Sequence, residues 1–467
     1  MSKQKFLFWA DMVHPMVPPP RYFGCHPGYQ AAFRRYSKKS RSVADRFRAM
    51  AGQEISVMTF ADPRHPETVL VPRNRPLIAT DGFHDPATPR LPFFFSSYDL
   101  WIDQDEQPLW QALHHPALFR MQGISELGAL IPDFFDQAQY LYFIGMPFTH
   151  NRWSHLMLAA AMADVLLARS GWDIQRRAAP VLTVATHDLA LPAGGDTVKR
   201  VDPPVLDEEA AYAETLAQWG LADGWRVRFN FDVTQASAWV RNEGMIGQLL
   251  DIVDKLSYVT YDCYYAGYAT DGAIRRWCVR HPLVMNVWQD CGLSSDGTTW
   301  GFADAERLYH FLVLRALEHD ELLLNPASRF LDTHLSTFVR PLYQRGVITA
   351  AMLRQWTDQE LIWFLEKKYP TADVSLNSIE PAHFTWRRFA SAHQRRGFID
   401  QCGHPIDHTE DRTGFNSCID WPVFTDRARS RWRPLHDCIS QPRTDYLLHL
   451  SRRTAGYYAY WKRPAVS

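Results

Sequence analysis

The sequence predicts a mostly α protein. At least five segments repeat apolar residues every three or four positions, which is the spacing of an amphipathic helix. Stretches that alternate as a β-strand does are few and short, and they lie around 55–60, 68–71 and 225–231. The chain has 467 residues, of which 46% are hydrophobic, so it can bury a large core of packed helices.

The charge balance gives no indication of a polyanionic partner. Lys and Arg number 50 and Asp and Glu 51, so the net charge is close to zero. A nucleic acid partner is therefore compatible with the charge but not indicated by it, and no membrane partner is expected. Seven scattered cysteines, an odd number, indicate a reducing compartment rather than a disulfide framework. The N-terminal apolar run is too short for a signal peptide, and the longest run, 156–168, contains Asp164 and is too short to span a bilayer. We therefore expect a cytoplasmic protein.

Composition divides the chain into three parts. Residues 1–95 are irregular and rich in Pro and Arg, and they carry the first two strand candidates. Residues 96–368 contain the helical segments, and residues 369–467 form a mixed extension rich in Pro, Gly and charged residues. The basic segment 34–41 is expected to be a solvated patch, with a nucleotide- or nucleic-acid-binding arm as the alternative.

The C-terminal extension contains scattered thiols and imidazoles. Unrelated thiols and surface histidines are the favoured interpretation, because the spacing matches no C-x-x-C pair, and a zinc site is the alternative. The basic and aromatic residues of 427–433 and 457–463 fit a solvated, partly packed terminus better than a nucleic acid contact. The candidate zinc ligands are Cys402, His404, His408, Cys418, His436 and Cys438, of which four would suffice.

The predicted helices follow one another from residue 116. Gly171 stops the helix that contains His155, and the early acids of the segment 207–219 suit a helix N-terminus. The stretch 189–204 is expected to be a loop because of its Pro and Gly content. The predicted helical segments are 116–130, the His155 segment, 176–188, 207–219, 245–262, 303–324 and 335–364.

The helix over 245–262 carries a polar stripe opposite its apolar face. Five polar residues fall within an arc of roughly 100° on this helix. A solvated surface is the simplest interpretation of such a stripe. Three acids, one Lys and one Tyr instead suit a metal ligand, a phosphate contact and a sugar contact on one rigid rod. The five residues are Asp251, Asp254, Lys255, Tyr258 and Asp262.

Two His and two Asp, each on an apolar helix or at its end, are candidate metal ligands. An ionised Asp or a His in such a place needs partners, because unpaired burial is costly. His187 and Asp188 are adjacent, and both can face one ion at a helix end, where the chain turns. This donor set suits one divalent transition metal, namely Mn, Fe, Ni, Co or Zn, with positions left for water. The four candidates are His155, His187, Asp188 and Asp254.

The order His…His-Asp…Asp resembles the HD superfamily of metal-dependent phosphohydrolases. Three segments are similar to one branch of it, the deoxynucleoside triphosphate triphosphohydrolases. Residues 116–160 resemble that branch's lead-in helix and first-His helix, with Asn151 and Arg152 just ahead of the first His. Residues 253–263 (VDKLSYVTYDC) are similar to its fourth-ligand helix, and residues 303–325 to the helix that supplies an Arg to the phosphates.

The resemblance implies both a fold and a reaction. The fold is an HD-domain helical core with small β elements in the N-terminal region and a mixed C-terminal extension. The reaction is hydrolysis of (deoxy)nucleoside triphosphates to nucleoside and triphosphate by water that the metal activates, in a homo-oligomer, with Mg²⁺ accompanying the nucleotide. The four candidate ligands would hold the metal. The implied substrate contacts are Arg152, Lys255 and Arg315 at the phosphates, Tyr258 and Asp262 at the sugar, and Asn151, Glu126 and His319 beside them.

The chain departs from that branch in the loop after His187. Leu191 stands where the triphosphohydrolases carry a catalytic His, and Glu126 stands where they place a sugar-discriminating Gln. A Gly-Asp ending at Asp196 instead resembles the smaller HD 5′-deoxynucleotidases, which hydrolyse monophosphates. The candidates for proton transfer are Asp196, Asp207 and Glu208, and a carboxylic acid there needs a raised pKa to donate at neutral pH.

The first hypothesis is therefore an HD-type nucleotide phosphohydrolase acting on deoxynucleoside triphosphates. One alternative is an HD phosphohydrolase of nucleoside monophosphates or of a phosphodiester. Another is a catalytically weak nucleotide-binding regulatory protein, which the loss of the loop histidines favours. An HD-type di-iron oxygenase is disfavoured, since it needs His ligands between His187 and Asp254 and the sequence has none there.

Overall fold

A computed structural model describes a large part of the chain. In this part most residues are helical and the sheets are small, so the predicted mostly α class is confirmed. Asn151, Glu126, His404 and the segments 34–41, 55–60 and 68–71 lie outside the described residues. The described residues are 4–7, 99–102, 109, 112–113, 115–124, 152–263, 273–281, 284–370, 384–403 and 405–462.

The helices occupy the middle of the chain and recur between the C-terminal strands. Short 3₁₀ helices cover Met121–Gly123 and Val284–Asp290, and a π-helix covers His319–Leu323. The α-helices of the described residues are α1 (Pro116–Arg120), α2 (Arg152–Arg169), α3 (Ile174–Val184), α4 (Gly195–Lys199), α5 (Pro203–Leu206), α6 (Glu208–Gln218), α7 (Leu221–Phe229), α8 (Val233–Val240), α9 (Gly244–Asp262), α10 (Ala273–Arg280), α11 (Ala305–Glu318), α12 (Pro326–Gln344), α13 (Ala350–Gln355), α14 (Asp358–Lys368), α15 (Ala392–Gln401), α16 (Leu435–Cys438) and α17 (Gln441–Arg453).

The strands form three small sheets. The first two strands pair antiparallel, with Gln4 opposite Ile102. A four-stranded sheet has the order β3-β4-β7-β8, and β4 and β7 run parallel. A three-stranded antiparallel sheet has the order β5-β9-β6. The strands are β1 (Gln4–Leu7), β2 (Asp99–Ile102), β3 (Cys291–Leu293), β4 (Trp300–Phe302), β5 (Phe384–Phe389), β6 (His408–Arg412), β7 (Pro422–Phe424), β8 (Trp432–Pro434) and β9 (Gly456–Lys462).

The core is built around α9, which packs along α2. The apolar face of α9 is buried, as its spacing predicts: Leu249, Ile252 and Val253 have no exposed surface. Gly247 allows the start of the helix to pass close to the backbone of Asn242, which a Cβ at this position would overlap. The polar stripe lies on the other side of this well-buried helix, where its residues are half-buried except for the buried Asp262.

Helix α3 positions the His-Asp pair by ending just before it. The Asp173 side chain caps its start by accepting from the backbone N–H of Arg176 at 2.9 Å. The helix ends at Val184, and the next residues turn. The Thr186 hydroxyl lies 2.8 Å from the Tyr212 hydroxyl on α6, which ties the turn to the neighbouring helix. His187 and Asp188 thus lie at a helix end, as predicted.

Two local predictions are wrong. Of the strand predicted at 225–231, residues 225–229 belong to helix α7, and Asn230 follows the helix in a left-handed conformation (φ 51°). Its alternating aromatic and Arg residues resemble a strand, but Trp225 is buried and packs edge-on against Phe231 at 5.4 Å. The loop predicted at 189–204 contains α4 and the start of α5, because Pro and Gly are compatible with a first helical turn.

The C-terminal residues pack on the helical core rather than apart from it. Strand β7 pairs with β4, and Val423 lies opposite Phe302. Glu410 accepts from Arg329 of α12 at 2.8 Å and from Arg412 at 2.8 Å, which forms a buried Arg-Glu-Arg group. The division of the chain at 95 and 368 stays a prediction. Within the described ranges, no helix has the length and apolar character needed to cross a lipid bilayer.

Candidate active site

Three of the four predicted metal ligands converge into one group. His155 lies on α2, His187 follows α3, and Asp254 lies on α9, yet one ligand atom from each falls within 4.8 Å of the others. The Asp254 Oδ1 atom is 3.2 Å from His155 Nε2 and 3.4 Å from His187 Nε2. Asp188 lies at the edge of this group, with its oxygens 3.5 Å from His187 Nε2 and 3.9 Å from His155 Nε2.

The two imidazoles are arranged as metal ligands would be. His187 Nδ1 lies 2.7 Å from the carbonyl of Val184, so it donates there and leaves the Nε2 lone pair for an ion. Both ring nitrogens of His155 are buried and form no hydrogen bond with any described residue, although Nε2 is close to Asp254. Nitrogens and an oxygen that approach one another without hydrogen-bond alignment fit a shared cation between them. The Ser257 hydroxyl fixes the position of α2 by donating to the His155 carbonyl at 2.9 Å.

The charges of the group are strongly coupled. Burial lowers the pKa of His187, but Asp188 and Asp254 outweigh burial and raise it to about 10. Burial raises the pKa of Asp254, and its contacts with His155 and His187 outweigh this and leave the pKa well below its usual value. The carboxylates are thus ionised in the metal-free protein, and a divalent cation would replace the His187 proton.

Arg152, the first residue of α2, bridges two carboxylates. Its Nη1 donates to Asp188 at 2.8 Å and its Nη2 donates to Asp196 at 2.7 Å. Burial raises the pKa of Asp188, but the opposing effect of His187 and Arg152 is larger, so the pKa lies below its usual value. Arg152 therefore orients Asp188 beside the metal group. Its predicted contact with substrate phosphate stays a prediction.

Glu208, the first residue of α6, is the proton-transfer candidate whose environment is most unusual. Lys199 donates to its Oε1 at 2.7 Å, while Oε2 is buried and has no hydrogen-bond partner among the described residues. Burial, followed by Asp188 and Asp196, raises the pKa of Glu208 to about 7. Glu208 can thus carry a proton at neutral pH. Asp207 instead caps α6 by accepting from the backbone N–H of Glu209 at 3.3 Å.

The polar stripe of α9 leads from the metal group to a buried cation on α11. Arg315 is 5% exposed, and its Nε donates to the Tyr258 hydroxyl at 2.5 Å. Its Nη1 donates to the carbonyl of Asn416 at 2.6 Å. In the described part of the chain, no carboxylate lies within ion-pair distance of Arg315. Lys255, by contrast, is paired with Asp251 one turn back.

His319 and Asp262 complete the predicted substrate side of α9 and α11. The His319 ring stacks on Phe415 at 4.1 Å and 17°, and its Nε2 has no hydrogen-bond partner among the described residues. Burial, Arg315 and Lys255 hold the pKa of His319 well below its usual value, so it is neutral. Asp262 is 2% exposed at the end of α9. The substrate roles of both residues stay predictions.

The sequence reasoning missed Lys199, Phe415 and Asn416. Lys199 falls in the stretch expected to be a loop, where no periodicity singles it out. Phe415 and Asn416 lie about 100 residues beyond Arg315 in a segment without a recognisable pattern. The pairing of β4 with β7 and the hydrogen bond from Phe415 to the Ser451 carbonyl on α17 hold that segment at the core.

The C-terminal thiols do not form a metal group in the described structure. Among the described residues, the single set of three or more candidate ligands is that of His155, His187 and Asp254. His436 instead lies 3.2 Å from Asp420, and the Cys418 thiol lies 3.6 Å from Arg315 Nη1. His404 lies outside the described residues, so the interpretation of unrelated thiols and histidines stays a prediction.

Comparisons with known proteins are informative at the level of structure. No protein-family model and no curated protein matches the sequence. A solved phosphohydrolase from Bacteroides thetaiotaomicron VPI-5482 is similar over 81% of this chain and 100% of its own, with a TM-score of 0.57 and 15% identity. A hypothetical protein from Aquifex aeolicus is similar over 79% of this chain and 94% of its own, with a TM-score of 0.56 and 11% identity. The chain therefore has a fold that a phosphohydrolase also has.

Proposed function

We propose that the protein is a metal-dependent phosphohydrolase that converts (deoxy)nucleoside triphosphates to nucleoside and triphosphate. The observation that supports it most is Arg315, a buried cation that has no ion-paired carboxylate among the described residues. It contacts Tyr258, the stripe residue one turn after Asp254 of the metal group. A buried charge without a counter-ion is costly. Glu318, buried on the same helix, interacts electrostatically with Arg315 but forms no ion pair with it. A substrate phosphate would supply a directly paired negative charge.

A divalent transition metal fits the donor set. His155, His187 and Asp254 would hold it, with Asp188 beside them, and two neutral imidazoles with carboxylates suit Mn, Fe, Ni, Co or Zn. When bound, such a metal lowers the pKa of water and polarises phosphoryl oxygens. The chain keeps the ligands in place through the Val184 carbonyl at His187 and through Arg152 at Asp188.

The chain's own residues supply the proton and the positive charge. Glu208 holds a proton on Oε2 near pH 7, because Lys199 occupies Oε1, and we assign it the protonation of the leaving oxygen. Arg315 and Lys255 stabilise the negative charge of the phosphates. Residues 254 to 262 rise by roughly 12 Å along α9, which leaves room for a phosphate chain and a sugar beside Tyr258 and Asp262.

A monophosphate or phosphodiester substrate is the second candidate. Asp196 favours it. This residue follows Gly195, lies eight residues after Asp188 and is bound by Arg152, near the place where a triphosphohydrolase has its second loop His. The products separate the two reactions. Inorganic triphosphate indicates the first, whereas orthophosphate or a linear dinucleotide indicates the second.

The test is a product screen with purified full-length protein and Mn²⁺, Co²⁺ or Zn²⁺. Each nucleoside triphosphate is incubated separately, and the products are separated by ion-exchange chromatography. We expect free triphosphate from the wild type and none above background from Asp254→Asn, which should also lose bound metal by elemental analysis. Asp173→Asn is the matched control, since Asn caps helices as well as Asp does. Equal turnover by the Asp254 variant would refute the assignment of the site.

A further inference from the structure

The segment 414–418 of the C-terminal extension lies over the substrate side of the site. It contacts Arg315 on α11 and His319, the residue that follows α11, and these two residues lie one helical turn apart. The Asn416 carbonyl accepts from Arg315 Nη1 at 2.6 Å, and the Phe415 ring stacks on His319 at 4.1 Å. The Phe415 ring also lies 5.3 Å from the Arg315 guanidinium. These contacts join the two parts of the chain beside the polar stripe of α9.

The path of this segment is built for that contact. Gly414 has φ 92°, and a side chain there would overlap the carbonyl of Ser451. The backbone N–H of Phe415 donates to the same carbonyl at 3.1 Å. The Asn416 side chain accepts from the backbone N–H of Cys418 at 2.9 Å, and Cys418 is in the left-handed region at φ 55°. This side-chain turn directs the Asn416 carbonyl toward Arg315.

The partners of Arg315 orient the guanidinium without neutralising it. The Tyr258 hydroxyl and the Asn416 carbonyl are both uncharged, and they bind Nε and Nη1. Because the guanidinium is planar, fixing two of its nitrogens fixes the third. Nη2 has no hydrogen-bond partner among the described residues, so its two N–H groups remain for a ligand.

We infer that Asn416 is a positioning residue for the anion-binding Arg315, and that the segment 414–418 is part of the substrate site. The inference rests on the proposed function, because it assigns Arg315 to a phosphate. It goes further in predicting that phosphate binding depends on Asn416, an exposed residue of the C-terminal extension. In this role Asn416 acts through Arg315 and contacts neither the metal group nor the substrate.

Calorimetric titration of the full-length, manganese-loaded protein with the manganese complex of inorganic tripolyphosphate tests it. Asn416→Ala removes the side-chain turn that directs the main-chain carbonyl of this exposed residue. If the hydrogen bond from Arg315 to that carbonyl is lost with the turn, tripolyphosphate binding should weaken roughly tenfold. Asn416→Ser keeps an uncharged acceptor and should restore part of the affinity. Manganese content should be the same in all variants, which a general loss of structure would not allow.

Two further variants separate the possible failures. Asp296→Ala breaks a similar side-chain turn, to the backbone N–H of Thr298, in an exposed loop, and should leave tripolyphosphate affinity unchanged. Arg315→Gln should weaken binding more than Asn416→Ala does. If Arg315→Gln has no effect, the phosphate site of the proposed function is wrong. If Arg315→Gln weakens binding but Asn416→Ala binds as tightly as the wild type or more tightly, the positioning role alone is overturned.

Discussion

Replacing Glu208 by Gln is expected to change how the free energy of unfolding depends on pH. Burial, with Asp188 and Asp196, raises the pKa of Glu208 from 4.5 to about 7 in the folded protein. The folded state therefore holds this proton more tightly than the unfolded state does. The stability that the group contributes is fully present below pH 4.5 and is lost as pH rises through 7. At about 1.4 kcal/mol per pKa unit, the loss is at most about 3 kcal/mol, since solvent relaxation reduces it.

Urea denaturation of the metal-free wild type and Glu208→Gln, at several pH values between 5 and 8, measures this effect. Glutamine does not titrate, so the stability of the variant relative to the wild type should increase by up to ~3 kcal/mol across this range. The titration of His187 is common to both proteins and cancels in the difference. Glu214→Gln, which replaces a 63% exposed side chain on the same helix, is the matched control for exchanging a carboxyl group for an amide. A pH-independent difference for Glu208→Gln would refute the reasoning about its buried, acid-rich environment.

Two further predictions concern the metal and the core. Adding Mn²⁺ to the metal-free protein should raise its melting temperature, because an ion at 100 times its Kd stabilises the folded state by about 2.7 kcal/mol. Differential scanning calorimetry measures this increase, which should be absent in Asp254→Asn. Asp164→Asn should lower the free energy of unfolding by roughly 3 kcal/mol, because it breaks the buried ion pair with Arg177 at 2.6 Å. Urea denaturation measures the change, and unchanged stability would show that this pair is not maintained in solution.

Several features of the site could be predicted from the sequence because they depend on local periodicity. The stripe of α9 follows from a 3.6-residue repeat, and the apolar residues opposite it are buried as expected. The position of His187 and Asp188 at a helix end follows from the need for adjacent side chains to face one ion. The convergence of His155 with Asp254 rested on the family resemblance together with the cost of burying unpaired polar groups.

Other features could not be predicted, because they depend on contacts between distant residues. The segment 225–231 alternates as a strand does, yet residues 225–229 are helical and the buried Trp225 packs against Phe231. The raised pKa of Glu208 requires burial against Asp188 and Asp196, which no spacing in the sequence reveals. The contact between Asn416 and Arg315 joins residues 101 positions apart.

The sequence by itself determined the helical class and the candidate metal ligands, because helix periodicity and the chemistry of His and Asp are local properties. The tertiary structure decided which charges are paired. It bound Arg152 between two carboxylates and Lys255 to Asp251, whereas the hydrogen bonds of Arg315 within the described part of the chain all go to neutral groups. Pairing depends on which distant side chains meet in a medium of low polarity, and the order of residues along the chain does not specify that directly.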